Sequence, residues 1–284
     1  MNVTVAKSAG FCFGVSRAVE LVEHSAGQGG RTLTLGPIIH NRHVVERFEK
    51  MGVRVIEQPE DASAGDTVII RSHGVSRDVY KRLEAQGATI IDATCPFVKR
   101  IHKIVSQAEQ EGKLPIIIGT PTHPEVEGIA GWCTRCKVFA DAESLENWVR
   151  EEAIPADLPV CMVSQTTSTE FLWKKCVQFA KKQFTYLQTF DTICRATECR
   201  QREASELSQR CGAMVVVGDL KSSNTGRLAM ICREHCDKVF LVDNASELNL
   251  DVFRGVSDVG ITAGASTPAW IIKEVNKTMS EITN

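Results

Sequence analysis

At 284 residues the chain has room for roughly two domains of about 150 residues each. Hydrophobic residues at 43% and charged residues at 24% belong to a folded globular protein, which sets aside disorder, collagen and coiled coil. Lysine plus arginine (33) nearly balances aspartate plus glutamate (35), so no global basic field exists to gather nucleic acid or lipid headgroups.

Residues 1–20 carry Lys7, Arg17 and Glu20 without a continuous apolar stretch, which does not fit a signal peptide and makes the cytoplasm the expected compartment. Asn2–Val5 reads as a strand leading to Ala6-Lys-Ser-Ala-Gly-Phe-Cys12. A strand-like run, Leu33–Gly36, is followed by His40, a helix-like stretch Asn41–Lys50 and a short strand near Val53–Ile56. The next strand ends in the polar turn Arg71-Ser-His73-Gly74. A second pass starts at Thr89-Ile-Ile-Asp-Ala-Thr-Cys95. It continues through Ile116–Gly119, His123, a helix over Pro124–Gly131, Lys137–Ala140, and a strand from Val160 to the turn Thr166-Thr167. The acidic stretch 141–157 reads as a helix and loop, and a helix from Ser168 to Phe184 carries a lysine-rich solvated face. The third pass runs from Thr189-Phe-Asp-Thr-Ile-Cys194 through Val215–Gly218, Ser222, a helix over Asn224–His235, Lys238–Val242, and a strand from Val259 to the turn Ser266-Thr267. Apolar runs such as Leu114–Ile118 and Met214–Val217 are strand-sized, far short of a membrane span.

The passes share a ruler. Cys12, Cys95 and Cys194 each stand 24 residues before the glycine that ends the next strand, Gly36, Gly119 or Gly218. Four residues past each glycine come His40, His123 and Ser222. Alternating strands and helices of this length indicate α/β units with parallel sheets, so the reading is three pseudo-equivalent α/β domains: 1–94, 95–193 and 194–284. Ligands of such sheets gather outside the carboxyl ends of the strands. There lie the three cysteines, the residues after each glycine and the second polar turns, which would form one central site.

Eleven cysteines, an odd number, in an expected reducing compartment argue against a disulfide framework. Three thiolates converging on one site suit a metal centre. Zinc usually takes a fourth protein ligand and commonly shows paired C-x-x-C knuckles, absent at these three positions. An iron–sulfur cubane normally takes four cysteines, so three leave one iron open to substrate. His40, His73, His123, Ser222, Ser223, Asn224, Thr166 and Ser266 make a donor-rich ring, several of them near predicted helix starts, which suits phosphate or diphosphate. Glu125, in the first turn after His123, is either an acid favoured there for purely dipole reasons or a proton carrier. Ser222 to Thr225 equally reads as a helix cap. Cys133-Thr-Arg-Cys136 has C-x-x-C spacing with no second pair behind it, Cys232 and Cys236 suit core packing, and Cys199 is the competitor for a fourth ligand position. An electron carrier without a substrate pocket and a zinc phosphoester hydrolase are the alternatives that these residues leave open.

The ordered motifs Ala9-Gly-Phe-Cys12, Gly36-Pro-Ile-Ile-His40-Asn, Arg71-Ser-His73-Gly, Asp92-Ala-Thr-Cys95-Pro, His123-Pro-Glu125-Val, Gln165-Thr166-Thr167, Thr192-Ile-Cys194, Ser222-Ser-Asn224-Thr and Ala263-Gly-Ala-Ser266-Thr-Pro268 span the chain. In them the sequence resembles the 4-hydroxy-3-methylbut-2-enyl diphosphate reductase family, which ends the methylerythritol phosphate (non-mevalonate) route to isoprenoids. The resemblance implies three α/β domains around a central 4Fe–4S cluster with Cys12, Cys95 and Cys194 as ligands and one open iron position. It implies diphosphate contacts at His40, His73, His123, Ser222, Ser223, Asn224 and Ser266. It places Thr166 near the substrate hydroxyl and Glu125 at the site of proton delivery, with His123 counted beside them as catalytic. The implied reaction is a two-electron reductive dehydroxylation to isopentenyl or dimethylallyl diphosphate. With no nucleotide fingerprint in the chain, electrons are expected from a separate ferredoxin or flavodoxin. Pro121, in Gly119-Thr-Pro-Thr122, departs from the family pattern and stiffens that loop.

Overall fold

The computed structural model describes residues 1–281, so the last three residues of the expected 194–284 segment lie outside the described residues. Twelve strands among them form three four-stranded sheets in which every pairing is parallel.

The first sheet takes β2 (Thr32–Leu35), β3 (Arg54–Ile56), β4 (Thr67–Ile70) and β5 (Thr89–Asp92), in the order β3-β2-β4-β5. The second takes β6 (Leu114–Ile118), β7 (Lys137–Phe139), β8 (Val160–Ser164) and β9 (Leu187–Thr189), in the order β7-β6-β8-β9. The third takes β10 (Ala213–Val217), β11 (Val239–Val242), β12 (Asp258–Ala263) and β1 (Asn2–Val5), in the order β11-β10-β12-β1. The same topology is therefore built three times, and the fourth place in each sheet goes to the strand that leads into a cysteine: β5 into Cys95, β9 into Cys194 and β1 into Cys12.

One strand departs from the division expected from sequence. Asn2–Val5, counted with 1–94, pairs with β12 from Asn2–Asp258 to Val5–Ile261. The reason is burial: β12 is buried from Val259 onward, too apolar to serve as a sheet edge, and Val3 and Val5 pack against its core. Compactness divides the chain differently again. One unit comprises Met1–Ser16, Ile39–Arg47 and Arg195–Asn284 and holds the third sheet; the other comprises Arg17–Ile38 and Phe48–Cys194 and holds the first two.

The central strands β6, β8 and β10 are buried on both faces, as parallel strands under crossover helices must be. In the second sheet Ile116, Ile118 and Met162 pack on Trp148 and Trp173 from one side. Ile117 and Val163 face Ile101, Val105, Val126 and Ile129 on the other. Burying each such side chain stabilises the fold by about 1.5–3 kcal/mol. The three glycines that close the ruler make one bond in common: the amides of Gly36, Gly119 and Gly218 donate to Ile56, Phe139 and Val242 carbonyls at 2.8, 2.9 and 2.8 Å. Gly218 has φ +144°, and a Cβ there would meet Thr267 Oγ1 at 2.6 Å, so this turn admits no side chain.

The expected helices form, with ends shifted by a residue or two: α2 (Arg42–Lys50), α5 (Pro124–Ala130), α7 (Glu170–Gln183) and α9 (Ser223–Arg233). Three more begin directly after the repeated cysteines: α1 (Phe13–Ala26) after Cys12, α4 (Pro96–Gln110) after Cys95 and α8 (Arg195–Ser208) after Cys194.

Candidate active site

Each of the three cysteines is fixed by the same backbone bond. The Cys95 amide donates to Ser72 O at 3.0 Å, the Cys194 amide to Thr166 O at 3.0 Å, and the Cys12 amide to Ala265 O at 3.2 Å. In every case the acceptor lies in the polar turn after the third-placed strand of a sheet, β4, β8 or β12. Each cysteine also opens a helix, where free N–H groups and the dipole favour a thiolate. All three are half-buried and none is in a disulfide. Soft, accessible thiolates fit an iron–sulfur group. Cys199 is exposed on α8.

Around Cys95 the turn is built from Asp92. Its carboxylate accepts the Thr94 amide at 2.9 Å and pairs with Lys99 at 2.6 Å, while the Arg17 guanidinium holds the Asp92 and Thr94 carbonyls at 3.1 and 3.3 Å. Burial pushes this carboxyl up, but the Lys99 and Thr94 bonds outweigh it and leave it below its ordinary value.

The compact unit with the first two sheets brings four predicted residues together. The rings of His73 and His123 meet edge to face, with centroids 5.5 Å apart. This approach depends on Gly128 of α5, where a Cβ would come within 3.3 Å of the Gly74 backbone. His123 caps α5: its Nδ1 accepts the Glu125 amide at 3.1 Å. A nitrogen that accepts carries no proton, so the ring N–H is on Nε2. Glu125 itself is no surface acid. It is 3% exposed, and its carboxylate accepts both the amide and the hydroxyl of Thr166 at 2.7 Å. Its place in the first turn of α5 also sets the carboxylate at the positive end of the helix dipole.

The other unit holds Cys12, His40, Ser222, Ser223, Asn224 and Ser266. His40 is half-buried beside Asn41, whose Oδ1 caps α2 by accepting the Val44 amide at 3.2 Å. Ser222 is the cap of α9, its Oγ accepting the Thr225 amide at 3.4 Å, and Ser223 is the first residue of that helix. The capping reading is thus correct for Ser222, though its hydroxyl proton is still available to donate. Asn224 differs. Its side chain is buried, yet among the described residues neither Oδ1 nor Nδ2 has a hydrogen-bond partner. The buried Ser266 hydroxyl is in the same state. Leaving such groups unpaired costs roughly 1–3 kcal/mol each, a cost that marks a place for a polar ligand.

Motif reading passes over Arg71, one residue from Ser72 and two from His73. Burial pushes its guanidinium below its ordinary value, opposed by Glu127 and Glu57, and its Nε is buried without a partner among the described residues. A cation in the polar turn is visible in Arg71-Ser-His73; the sequence carries no sign of its burial. Gln165, also passed over, is fully buried and its Oε1 accepts the Thr120 amide at 3.1 Å, tying the loop before His123 to the turn that holds Thr166.

Known proteins align with the chain along nearly its whole length. The LytB protein family matches residues 3–280. A 4-hydroxy-3-methylbut-2-enyl diphosphate reductase of Caldanaerobacter subterraneus subsp. tengcongensis is 42% identical over 280 residues, 97% of this chain and 95% of its own. Its namesake in Clostridium perfringens strain SM101 is 42% identical over 287 residues, 99% of both chains. A solved (E)-4-hydroxy-3-methyl-but-2-enyl diphosphate reductase, described as the terminal enzyme of the non-mevalonate pathway, superposes with a TM-score of 0.72 at 39% identity, covering 99% of this chain and 100% of that one. The E-1-hydroxy-2-methyl-but-2-enyl-4-diphosphate reductase from Plasmodium falciparum superposes at 0.92 with 28% identity, covering 100% and 88%. Through a match that runs almost end to end, the chain belongs to the LytB protein family.

Proposed function

We propose that the chain is an iron–sulfur reductase converting (E)-4-hydroxy-3-methylbut-2-enyl diphosphate to isopentenyl and dimethylallyl diphosphate, the last step of the methylerythritol phosphate pathway. Relatives 42% identical over nearly the full chain carry the reductase name. The observation that supports the reading most directly is the shared placement of Cys12, Cys95 and Cys194, each opening a helix with its amide bonded to the same turn of its sheet. In this reading the segments 1–94, 95–193 and 194–284 contribute one ligand each to a 4Fe–4S cluster with an open iron position. When bound, the cluster supplies two electrons and Lewis acidity toward the leaving hydroxyl.

The chain's own residues do the rest. His40, His73, His123, Ser222, Ser223, Asn224 and Ser266 bind the diphosphate; Asn224 and Ser266 offer polar atoms that lack internal partners among the described residues, and His123, whose Nδ1 makes the capping bond, carries its N–H on Nε2. Thr166 orients the substrate hydroxyl. Glu125, whose carboxylate accepts the hydrogen bond of the Thr166 hydroxyl, delivers a proton with Thr166 to the departing hydroxyl from a dry position, where burial keeps bulk water from competing. Among the described residues no helix is long and apolar enough to cross a membrane. Electrons arrive from a ferredoxin or flavodoxin, and the reaction takes place in the cytoplasm.

Anaerobic iron and sulfide analysis with an absorption spectrum, followed by substrate-dependent oxidation of a reduced one-electron donor, tests this. A colourless chain carrying zinc and no iron would replace it with hydrolytic chemistry.

A further inference from the structure

The pair Cys133 and Cys136, at the exit of α5, is used by nothing described so far. Both sulfurs lie against the carbonyl of Ala130, the last residue of α5, at 3.4 and 3.9 Å. The two residues between them are clamped from α4. The Glu109 carboxylate accepts the Thr134 amide at 2.8 and 3.0 Å, the Thr134 hydroxyl at 2.8 Å and the Arg135 amide at 2.7 Å. Both cysteines are half-buried, with Thr134 and Arg135 exposed between them, so a small reagent can reach the sulfurs.

We propose that Cys133 and Cys136 are a redox-active dithiol that closes to a disulfide on reaction with a small disulfide of the glutathione class. The clamp supplies the reason. With Thr134 and Arg135 already fixed, little chain entropy is lost on closing so short a ring, and both sulfurs already turn to the same carbonyl oxygen. The pair is also polarised. Cys133 lowers the neighbouring Cys136 thiol, against burial and the Glu109 charge, while Cys136 and burial raise Cys133. Cys136 is therefore the attacking sulfur. By contrast, Cys161 and Cys176 are fully buried, and burial pushes each thiol up to about 11.

The step balances as follows. The Cys136 thiolate attacks one sulfur of RSSR, forming a mixed disulfide and expelling RS⁻, which takes up a proton. Cys133 gives its proton to water and attacks Cys136 Sγ, expelling the second RS⁻. The dithiol loses two electrons, and one RSSR becomes two RSH.

The test uses the full chain with its iron bound, prepared anaerobically, and does not depend on the proposed reductase activity. Samples are equilibrated in oxidised and reduced glutathione at increasing ratios, acid-quenched, alkylated, and digested with a protease that spares Arg135. Iron is measured before and after, so that cysteines released from a lost cluster are not scored. The peptide holding both cysteines should pass in one step from doubly alkylated to unalkylated and lighter by two hydrogens. Cys133→Ser should trap one glutathione on Cys136, whereas Cys136→Ser should leave Cys133 alkylatable. Double alkylation at every ratio would overturn the proposal. So would a glutathione adduct in the unaltered chain that never closes to the internal disulfide.

Discussion

Both carboxylate oxygens of Glu125 are taken by Thr166, Oε1 by its amide and Oε2 by its hydroxyl, each at 2.7 Å. The residues are 41 positions apart and both buried. The bond fixes the direction of the hydroxyl, which must donate to the carboxylate and so presents its lone pairs to whatever else approaches.

Glu125→Gln reverses that direction. A glutamine still accepts the Thr166 amide through Oε1, but its Nε2 donates to the Thr166 oxygen. The two contacts survive, so stability should change by less than about 1 kcal/mol. Turnover should fall at least about a hundredfold, because the group that carries the proton is gone. Denaturant melts and single-turnover rates on the iron-replete variant measure the two effects separately. Near-normal turnover would remove Glu125 from the chemistry.

Asn224→Ala should separate binding from folding in the opposite sense. Its amide makes no internal hydrogen bond among the described residues, so removing it should leave the ligand-free chain as stable as before or slightly more so. Diphosphate affinity should drop about tenfold to a hundredfold, the loss of one hydrogen bond to a charged group at roughly 1.5–3 kcal/mol. Calorimetric titration with inorganic diphosphate and a thermal melt decide it. A destabilised variant with unchanged affinity would show the amide to be structural.

Serine in place of Cys12, Cys95 or Cys194 should each abolish or sharply reduce iron incorporation, whereas Cys199→Ser should keep it, since that side chain is exposed on α8. Iron and sulfide assay of the four variants is sufficient. Loss of iron in Cys199→Ser with retention in Cys194→Ser would move the third ligand to α8.

His102 sets a pH limit on the fold. It is stacked on Trp132 with centroids 5.0 Å apart, and its Nε2 is buried without a partner among the described residues. Burial pushes it down to about 4, with Asp92 opposing and Lys99 adding to the shift. Between about pH 6.5 and 4 the unfolded chain binds a proton that the folded chain refuses, so stability falls as pH falls. The loss should reach roughly 3 kcal/mol near pH 4 and then level off. His102→Phe keeps the stack and should flatten that part of the stability curve. A wild-type slope in the variant would assign the acid sensitivity to other groups.

The three-fold plan was legible because it is written in spacing. A cysteine, a glycine 24 residues on and a polar residue four beyond survive as positions even where the intervening residues differ. The equivalent placement of Cys12, Cys95 and Cys194 could be read in the same way. The pairing of Glu125 with Thr166 could not, because it joins two turns whose proximity exists only once β6 and β8 are side by side. Nor could the unpaired state of Asn224, since the sequence of a cap, Ser222 to Thr225, looks the same whether its amide is satisfied or not. The fourth strand of the third sheet was misplaced for a related reason: proximity in sequence set Asn2–Val5 beside its neighbours, and the apolar surface of β12 outweighed it.

That strand also orders events during synthesis. Asn2 and Asp258, joined by a side-chain hydrogen bond of 3.0 Å, are 256 residues apart. β2–β5 and β6–β9 are consecutive along the chain, so each set can pair while later residues are still being made. β1 is made 256 residues ahead of the strand it pairs with. Its sheet closes only after β12 has been made, and closing so long a loop is slow. Until then its unpaired edge is open to a wrong partner, another nascent copy included. The yield of folded protein should therefore be most sensitive to crowding and chaperone supply at the step where β1 meets β12.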